Sequence, residues 1–315
     1  MNYSVDVIVV NWNSGRQLRN CLKSIATAQT DGFYLTHVVI VDNASYDSSL
    51  KEIESVNLPL RIILNHENQG FAVACNQGAK ESSADYLLFL NPDTILFPDS
   101  LVAPLDFIGN SENSLVGIVS IQMVDEAGKV SRNCARFPTV GSFFAKMLGL
   151  DRLVPSVFPS HFMTEWGHNE TRDVDQVMGS FFLTRRSLFE SLGGFDERFF
   201  VYFEEVDISL RARQAGWRSV FLANAQAFHA GGGTSRQVKA HRLFYSLRSR
   251  LLYGFKHFKP WQALTLLGVS LGVEPISRVV FALLRGAPGD VRNTLNAYAM
   301  LYRDLPNIFK RAQRP

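Results

Sequence analysis

The chain lacks the features that mark several common protein classes. Its 315 residues include three cysteines, Cys21, Cys75 and Cys134, which are far apart and form no C-x-x-C pair. This scarcity argues against a disulfide framework and predicts reduced, buried thiols in a cytoplasmic protein. No basic segment opens the chain, and the apolar run 7–10 is too short for a signal peptide, so we expect none.

The sequence also lacks a charge excess of the kind that nucleic-acid-binding proteins carry. Its 32 lysines and arginines against 29 acidic residues give a net charge of +3, so we expect no nucleic acid partner. The charge is unevenly distributed, because residues 236–315 contain only Glu274, Asp290 and Asp304 as acidic residues among many lysines and arginines. The tail is therefore cationic, and residues 1–235 are net acidic.

Apolar segments alternate with amphipathic ones through the first part of the chain. The predicted strands are 5–11, 37–41, 60–64, 86–90, 115–124 and 174–184. The predicted helices between and after them are 15–29, 48–55, 71–81 and 205–215. This alternation predicts an α/β fold with a mainly parallel sheet flanked by helices. Residues 133–171 are predicted to be irregular and to form a flap over a site.

The pattern of apolar and polar residues changes after Gly233. Residues 236–259, 262–284 and 290–309 are predicted to be three helices, separated by Pro260 and by residues 286–289. We therefore predict two domains, a sheet domain over 1–235 and a C-terminal helical extension over 236–315.

Polar residues end several of the predicted strands. Asn11 ends the first and Asp42 the second, and the strand 86–90 runs into Asn91-Pro92-Asp93. Open α/β sheets bind ligands at the carboxyl ends of their strands. For Asp42 we favour ligand binding over helix capping, since residues downstream can supply the cap. Asp93 could hold a divalent cation, but the segment Asn91-Pro92-Asp93 is explained equally well as a simple turn.

Two glycine-containing segments are weaker candidates for substrate binding. Asn68 and Gly70 open the helix 71–81, where free amides suit a phosphate or a sugar, although plain capping explains them as well. Gly179 interrupts the predicted strand 174–184 and leaves room for a ligand.

An acidic cluster follows an aromatic run. Glu204, Glu205 and Asp207 come directly after residues 199–203, four of which are aromatic. One acidic residue at this position could be explained by its favourable interaction with the helix dipole. Three acidic residues are more than this interaction requires, and they indicate a bound cation or acid–base chemistry. His229 precedes a run of glycines, which leaves its ring reachable, although a lone histidine is more often structural.

Taken together, the motifs resemble family 2 glycosyltransferases with a GT-A fold, and most of all the bacterial rhamnosyltransferases of cell-surface polysaccharide assembly. The matching segments occur in the family's order between about residues 4 and 235, and they are 9–13, 41–45, 68–71, 90–93, 193–196, 202–207 and 229–232. The resemblance implies an inverting sugar transfer from a nucleotide-diphosphate donor, here dTDP-rhamnose, to a glycan or polyprenyl-linked acceptor.

The resemblance also implies roles for individual residues. Asp42 would bind the nucleobase, Asp93 would hold Mg²⁺ or Mn²⁺ on the diphosphate, and His229 would complete the metal site. Glu205 lies where the family usually has an aspartate as general base, and Glu204 or Asp207 could share that role. Asn11, Asn68, Gly70, Asn91 and Gly179 would line the substrate site.

The chain departs from the family pattern in informative ways. Asn91 stands where many relatives have an acidic residue. The side chain of Glu205 is one bond longer than that of the usual aspartate, and the geometry of the attack on the donor sugar is sensitive to such a shift of the carboxylate. The Q-x-x-R-W motif of processive synthases is absent, since Gln237 is followed by Val-Lys-Ala-His. This absence implies the transfer of one sugar per encounter.

The alternatives to a glycosyltransferase are a sugar nucleotidyltransferase and a non-catalytic carbohydrate-binding protein. The loop 11–16 lacks the glycine-rich basic pattern of the nucleotidyltransferases.

The tail permits two interpretations. Residues 263–284 are apolar, and the flanking segments carry cations, as in helices that lie on an anionic membrane. These cations are Arg248, Arg250, Lys256, Lys259, Arg285, Arg292, Lys310 and Arg311. In that case the protein would be peripheral on the inner face of the cytoplasmic membrane. The other interpretation is a helical cap or a dimer contact, because Glu274 and Pro275 interrupt the apolar run.

Overall fold

The computed structural model describes residues 3–53, 56–231 and 238–313. The strands are β1 (Tyr3–Asn11), β2 (Phe33–Asp42), β3 (Leu60–Leu64), β4 (Tyr86–Leu90), β5 (Thr94–Leu96), β6 (Val116–Val124), β7 (Val130–Ser131), β8 (Cys134–Ala135), β9 (Arg172–Val174), β10 (Gln176–Val177), β11 (Phe181–Arg185) and β12 (Arg218–His229). The α-helices are α1 (Arg16–Thr27), α2 (Phe71–Ala79), α3 (Val102–Gly109), α4 (Val140–Met147), α5 (Leu150–Leu153), α6 (Arg186–Ser191), α7 (Glu204–Gln214), α8 (Lys239–His257), α9 (Pro260–Leu284) and α10 (Pro288–Ala312).

Ten of these strands form one sheet, whose main path runs β3-β2-β1-β4-β11-β6-β12-β5. Strands β1 to β4 pair in parallel, and β12 is parallel to β6. The strands β11 and β5 pair antiparallel to their neighbours, so the sheet is mixed in its second half. Because β1, β2 and β4 are parallel neighbours, their carboxyl ends lie at one edge of the sheet, where the polar residues of the sequence follow them.

Helices cover both faces of the sheet, as the alternating sequence predicts. Val7 and Val9 of β1 face the core beneath α1 and α3, and Ile8 faces the other side. On that side α2 lies so close that a Cβ at Gly78 would stand 2.5 Å from Ile8 Cγ2. An aromatic cluster of Phe89 and Phe195 with neighbouring phenylalanines extends this second layer.

The chain divides into two compact units. Unit 1 comprises residues 1–136, 166–197 and 204–234 and contains the sheet. Unit 2 comprises residues 137–165, 198–203 and 235–315 and contains α4, α5 and the three long helices α8 to α10. The predicted domain boundary at 235/236, and Gly232 of the predicted histidine motif, lie outside the described residues. The assignment of two functional domains remains a prediction.

Three local predictions are wrong, each for a physical reason. A helix was expected over 48–55, but within the described residues only the 3₁₀ turn Lys51–Ile53 forms, because the Asp47 carboxylate accepts from the amide and hydroxyl of Ser49. Residues 133–171 are not irregular throughout, since a capping box at Thr139 and Ser142 starts α4. Residues 174–184 are not one strand, because the chain leaves β10 at Val177 and enters β11 at Phe181.

The apolar helix of unit 2 is continuous. α9 begins at Pro260, passes through Pro275 without a break and ends at Leu284. Glu274, which interrupts the apolar run in the sequence, is buried and accepts hydrogen bonds from Arg250 of α8 and from Arg278 one turn on. The charge inside α9 therefore binds the helix to its neighbour.

Candidate active site

Asn11 and Asp42 meet at the ends of β1 and β2. The strand register places them opposite each other, and both side chains are buried. Asn11 Nδ2 donates to Asp42 Oδ1 at 2.6 Å, and Asp42 Oδ2 accepts from the Ser45 amide at 3.0 Å. One carboxylate oxygen thus ties the end of β2 to the end of β1, and the other holds the turn after β2 in place. The role of Asp42 in binding a nucleobase stays a prediction, which would use the lone pairs that remain on these oxygens.

An amide network joins the next two loops at the same edge of the sheet. Asn43 donates to the Gly70 carbonyl at 3.1 Å and accepts from Asn65 at 2.9 Å. The Gly70 amide donates to Asn68 Oδ1 at 3.0 Å, and Gly70 precedes α2 with a φ of 93°. Asn43 and Asn65 are not among the residues that the sequence predicts for the site. The available signal was their position directly after β2 and β3.

Asn91 and Gly179 are neighbours across the β4–β11 pairing. The Asn91 amide donates to the Ser180 carbonyl at 3.2 Å, and the Thr94 hydroxyl donates to the same oxygen at 3.3 Å. A Cβ built on Gly179 would meet no atom within 4 Å, so open space adjoins this segment. Gly179 lies between two strands rather than inside one.

The pairing of β5 with β12 brings Asp93 and His229 together. Thr94 lies opposite His229 in the register, and the Ala230 amide donates to the Asp93 carbonyl at 3.2 Å. His229 Nε2 stands 3.2 Å from Asp93 Oδ1, and both side chains are largely shielded from solvent. These residues are 136 positions apart, and antiparallel pairing between two short segments is what joins them.

The donor atoms of this pair fit a divalent cation. His229 Nε2 is buried and makes no hydrogen bond to a described residue, although the carboxylate oxygen is close. Two converging ligand atoms without a hydrogen bond between them can share a cation. Within the described ranges no third His, Cys, Asp or Glu joins them. The remaining ligands would be water and substrate oxygens, as in many Mg²⁺ sites.

Glu204 and Glu205 open α7 in different environments. Glu204 is buried, its Oε2 makes no hydrogen bond to a described residue, and Glu205 is half-buried. Burial raises the pKa of Glu204 well above its ordinary value, and the nearby Glu205 carboxylate raises it further. Of the two side chains, Glu204 is the one whose charged form burial disfavours, and Glu205 is the more exposed residue.

The backbone before α7 is strained. Tyr202 and Phe203 both have positive φ values, 67° and 72°, which bulky residues seldom adopt. Such conformations persist where the surroundings over-determine them, and they cluster at functional sites. They fix how α7 begins, and hence the direction in which Glu204 and Glu205 leave the backbone.

Asp207 is paired with a structural partner. It is fully buried, and its Oδ2 accepts from Arg211 Nε at 2.7 Å. Arg211 also donates to the carbonyls of Leu192 and Gly194. The ion pair thus ties α7 to the turn after α6, and this favours the two glutamates over Asp207 as catalytic groups.

The sequence model of the family described as "Glycosyl transferase family 2" matches residues 6–207. The match covers more than half of the chain and includes every candidate residue except His229. The chain belongs to glycosyl transferase family 2. It is therefore a glycosyltransferase, which decides against a nucleotidyltransferase and a non-catalytic carbohydrate-binding protein.

Two relatives of this family 2 glycosyltransferase are rhamnosyltransferases. The N-acetylglucosaminyl-diphospho-decaprenol L-rhamnosyltransferase of Mycobacterium tuberculosis is 26% identical over 274 residues, which are 82% of this chain and 86% of the relative. Rhamnosyltransferase WbbL of Escherichia coli K12 is 29% identical over 189 residues, which are 59% of this chain and 68% of WbbL.

Solved structures confirm the predicted fold of the family 2 enzyme. The mannosyltransferase PcManGT from Pyrobaculum calidifontis, in complex with GDP-Man and Mn²⁺, superposes with a TM-score of 0.58 at 17% identity, covering 97% of this chain and 88% of that one. Residues 1–349 of S. aureus TarS give a TM-score of 0.51 at 16% identity, covering 96% and 91%. The GT-A type of α/β fold, with its C-terminal helical region, is thereby established.

Proposed function

We propose that this glycosyltransferase is an inverting, non-processive rhamnosyltransferase that uses dTDP-rhamnose and a lipid-linked sugar acceptor. The observation that carries the proposal is the convergence of Asp93 and His229 through the β5–β12 pairing. The names of the two relatives support the sugar, and that of the mycobacterial relative supports a polyprenyl-diphosphate acceptor. The absence of a Q-x-x-R-W motif supports transfer of one sugar per encounter.

Glu205 is the general base of this proposal. It is the more exposed of the two glutamates, whereas burial raises the pKa of Glu204 and so disfavours its charged form. Glu205 takes the proton of an acceptor hydroxyl as the oxygen forms a bond to the anomeric carbon of the donor sugar. The bond from that carbon to the diphosphate oxygen breaks on the opposite face, which inverts the configuration.

Asp93 and His229 are the residues that would hold a divalent cation, Mg²⁺ or Mn²⁺, beside the donor. When bound, the cation would neutralise charge that develops on the departing nucleoside diphosphate. The Thr94–His229 register fixes the distance between the two ligand side chains before substrate arrives. Asn91, Gly179 and the network of Asn11, Asp42, Asn68 and Gly70 would line the donor site.

A donor panel tests the proposal. The full chain is incubated with dTDP-rhamnose, UDP-GlcNAc or GDP-mannose, with Mn²⁺ and a synthetic polyprenyl-diphospho-GlcNAc acceptor, and the product is analysed by mass spectrometry and proton NMR. The expected product carries one rhamnose from dTDP-rhamnose with inverted anomeric configuration. A retained configuration, a polymer, or transfer only from another donor would contradict the respective part of the proposal.

We also propose that unit 2 places the enzyme on a membrane surface. Of the described helices, α9 alone is long and apolar enough to span a bilayer by length and composition. Its inward face is polar at Ser270 and Glu274, whereas Ile276 and Leu284 on the outward face are 66% and 78% exposed. The ion pair of Glu274 with Arg250 ties α9 to α8, so a surface position suits it better than a span.

The cations around this apolar face differ in part from those expected. Arg248 and Arg250 were expected to flank the apolar helix, but both are buried in ion pairs, with Asp304 and Glu274 respectively. The ends of α9 nevertheless carry exposed cations, Lys259 and Arg285. An apolar face between two cationic ends matches an anionic leaflet.

A further inference from the structure

The segment that carries Asp93 continues into β5, which is a short strand at the edge of the sheet. β5 has three residues, and β12 is the only described strand that pairs with it along the main path. So short a pairing supplies few backbone hydrogen bonds and fixes its register weakly by itself. The distance from Asp93 to His229 depends on this register, since Thr94 lies opposite His229. Contacts outside the strand pairing therefore decide how firmly the two side chains are held together.

A serine of α1 binds one amide of β5. Ser24 is buried, and its Oγ accepts from the Leu96 amide at 2.9 Å and donates to the Cys21 carbonyl at 2.7 Å. Serine is not a strong helix former, so helix propensity does not explain its position inside α1. Its hydroxyl gives the buried Leu96 residue an acceptor that lies outside the strand pairing.

A second serine binds the next amide along the chain. Ser100 is fully buried, and its Oγ accepts from the Phe97 amide at 2.7 Å and donates to the Gln226 carbonyl of β12. The register of β5 against β12 pairs Leu96 with Ala227, so Phe97 and Gln226 would form the next pair. The Ser100 hydroxyl bridges these two residues and thus extends the pairing by one step through a side chain.

This bridge is made directly after a bulge in β12. Leu222 pairs with Ile121 and Gln226 pairs with the next residue of β6, so three residues of β12 lie between two consecutive pairs. Bulges change the direction and register of a strand, and they are frequent beside functional sites. Because Gln226 is the first residue after the bulge, the bridge through Ser100 fixes the register of β12 from there to His229.

We propose that Ser24 and Ser100 are positioning residues for the cation site, because together they fix β5 in the register that brings Asp93 to His229. The inference rests on the proposed function, since it requires these two residues to hold the cation. Ligand atoms that are already at their working distance bind a cation more tightly, because less ordering is needed on binding. Neither serine contacts the cation in this proposal, and both act through the backbone of β5.

Mn²⁺ binding by the full chain tests the proposal. Free Mn²⁺ is measured by electron paramagnetic resonance without a donor, so the result does not depend on which sugar nucleotide the enzyme uses. Ser24→Ala and Ser100→Ala each deprive one backbone amide of its acceptor. Each should weaken Mn²⁺ binding by about tenfold, as the loss of supporting hydrogen bonds around a metal site does. Urea unfolding is measured alongside, because a merely structural role would lower stability and leave the Kd for Mn²⁺ unchanged.

Hydrogen exchange shows whether the effect travels through β5. The Ala230 amide donates to the Asp93 carbonyl at 3.2 Å, so its protection reports on the contact between the two segments that carry the cation ligands. Protection of this amide should fall in Ser24→Ala and in Ser100→Ala. Weakened Mn²⁺ binding with full protection at Ala230 would contradict a role through the register.

Thr27→Val is the matched control. The Thr27 hydroxyl donates to the Lys23 carbonyl at 3.1 Å and, like the Ser24 hydroxyl, bonds a carbonyl of α1, but its side chain is exposed and its hydrogen bonds stay within the helix. This variant should bind Mn²⁺ like the unaltered chain. Unchanged Mn²⁺ binding in a folded serine variant would overturn the role of that serine and leave the cation site of the proposed function intact. Absence of Mn²⁺ binding by the unaltered chain would overturn both.

Discussion

At the scale of single residues, the proposed choice of the general base depends on the different burial of two adjacent glutamates. Glu204 is buried and Glu205 is half-buried, although both begin the same helix turn. Two neighbouring carboxylates cannot both ionise cheaply, so the less solvated one keeps its proton. The difference in burial therefore supports Glu205 as the proposed base, a choice that the sequence alone left open among three carboxylates.

The first prediction concerns Glu205→Gln. This change removes the proton acceptor and preserves the size of the side chain, so turnover should fall by about 10² or more. Donor binding, measured by calorimetry with dTDP-rhamnose, should stay within about twofold, since general acid–base catalysis acts on the transition state. Glu190→Gln, at an exposed site on α6, serves as control. Near-normal turnover in Glu205→Gln would move the role to Glu204 or Asp207.

Glu204 should also make stability depend on pH. Its pKa in the folded protein is raised by burial, so its stabilising contribution is complete below the unfolded pKa and is lost as pH rises through the folded pKa. Glu204→Gln cannot ionise, so its advantage over the unaltered chain should grow by about 1 kcal/mol or more from pH 5 to pH 9. Urea unfolding across that range measures it, and parallel pH profiles would contradict the assignment.

At the scale of elements, the turn after α6 shows why the segment 193–196 has its sequence. Gly193 and Gly194 both have positive φ, 72° and 75°. A Cβ at Gly194 would stand 2.7 Å from Asn76 Oδ1, whereas one at Gly193 would meet nothing within 4 Å. Asn76 in turn exchanges hydrogen bonds with the backbone of Phe195. Gly194 is thus required for two reasons: Asn76 leaves no room for a side chain there, and its φ is positive.

This pair of glycines provides a matched test. Gly193→Ala should cost about 1 kcal/mol, the penalty of a left-handed conformation. Gly194→Ala carries the same penalty and must also displace Asn76, which should add about 1–3 kcal/mol. The free energy of unfolding in urea measures both. Equal losses would mean that the Asn76 contact does not constrain the turn.

The sequence predicts elements well where one local signal dominates. The strands β3 and β4 have the predicted bounds, because short apolar runs flanked by turn residues specify them. The pattern fails where a side chain competes with the backbone, as Asp47 does in the expected helix 48–55. Strand β12 is not among the predicted strands, because polar Asn224 and Gln226 disturb its apolar pattern.

The same difference applies to the site: local sequence patterns predicted single residues, but not the pairing of residues that are distant in the sequence. Strand ends revealed Asn11, Asp42 and Asp93 as candidates, because parallel strands end at one edge. The partnership of Asp93 with His229 was available in the sequence only through the family resemblance. Its physical cause is the pairing of β5 with β12, and no local pattern encodes that register.

At the scale of the whole molecule, the two units concentrate different properties. Unit 1 contains all candidate active-site residues. Unit 2 contains an apolar outer face on α9, which continues to α5 because Phe281 lies against Gly149. Leu153, which ends α5, is 70% exposed. Large exposed apolar surfaces of this kind mark interaction sites, and the exposed cations at both ends of α9 favour an anionic membrane.

Vesicle flotation tests this surface. The full chain should float with phosphatidylglycerol vesicles at low salt, and Ile276→Asp combined with Leu284→Asp should abolish flotation. Each buried apolar side chain contributes about 1.5–3 kcal/mol, and two new negative charges oppose binding. Leu64→Asp, at a position 62% exposed in unit 1, should float normally. Unchanged flotation of the double variant would contradict a membrane role for α9.

The central claim is that Asp93 and His229 together hold the divalent cation on which sugar transfer by this family 2 enzyme depends. The most direct measurement is rhamnosyl transfer from dTDP-rhamnose as a function of Mn²⁺ concentration, for the unaltered chain, Asp93→Asn, His229→Gln and the control Asp99→Asn, whose side chain is exposed. In the unaltered chain and the control, rhamnosyl transfer should vanish in chelator and return when Mn²⁺ is added. Asp93→Asn and His229→Gln should need far more Mn²⁺ or stay inactive. Full transfer in chelator, or an unchanged Mn²⁺ requirement in Asp93→Asn, would contradict the claim.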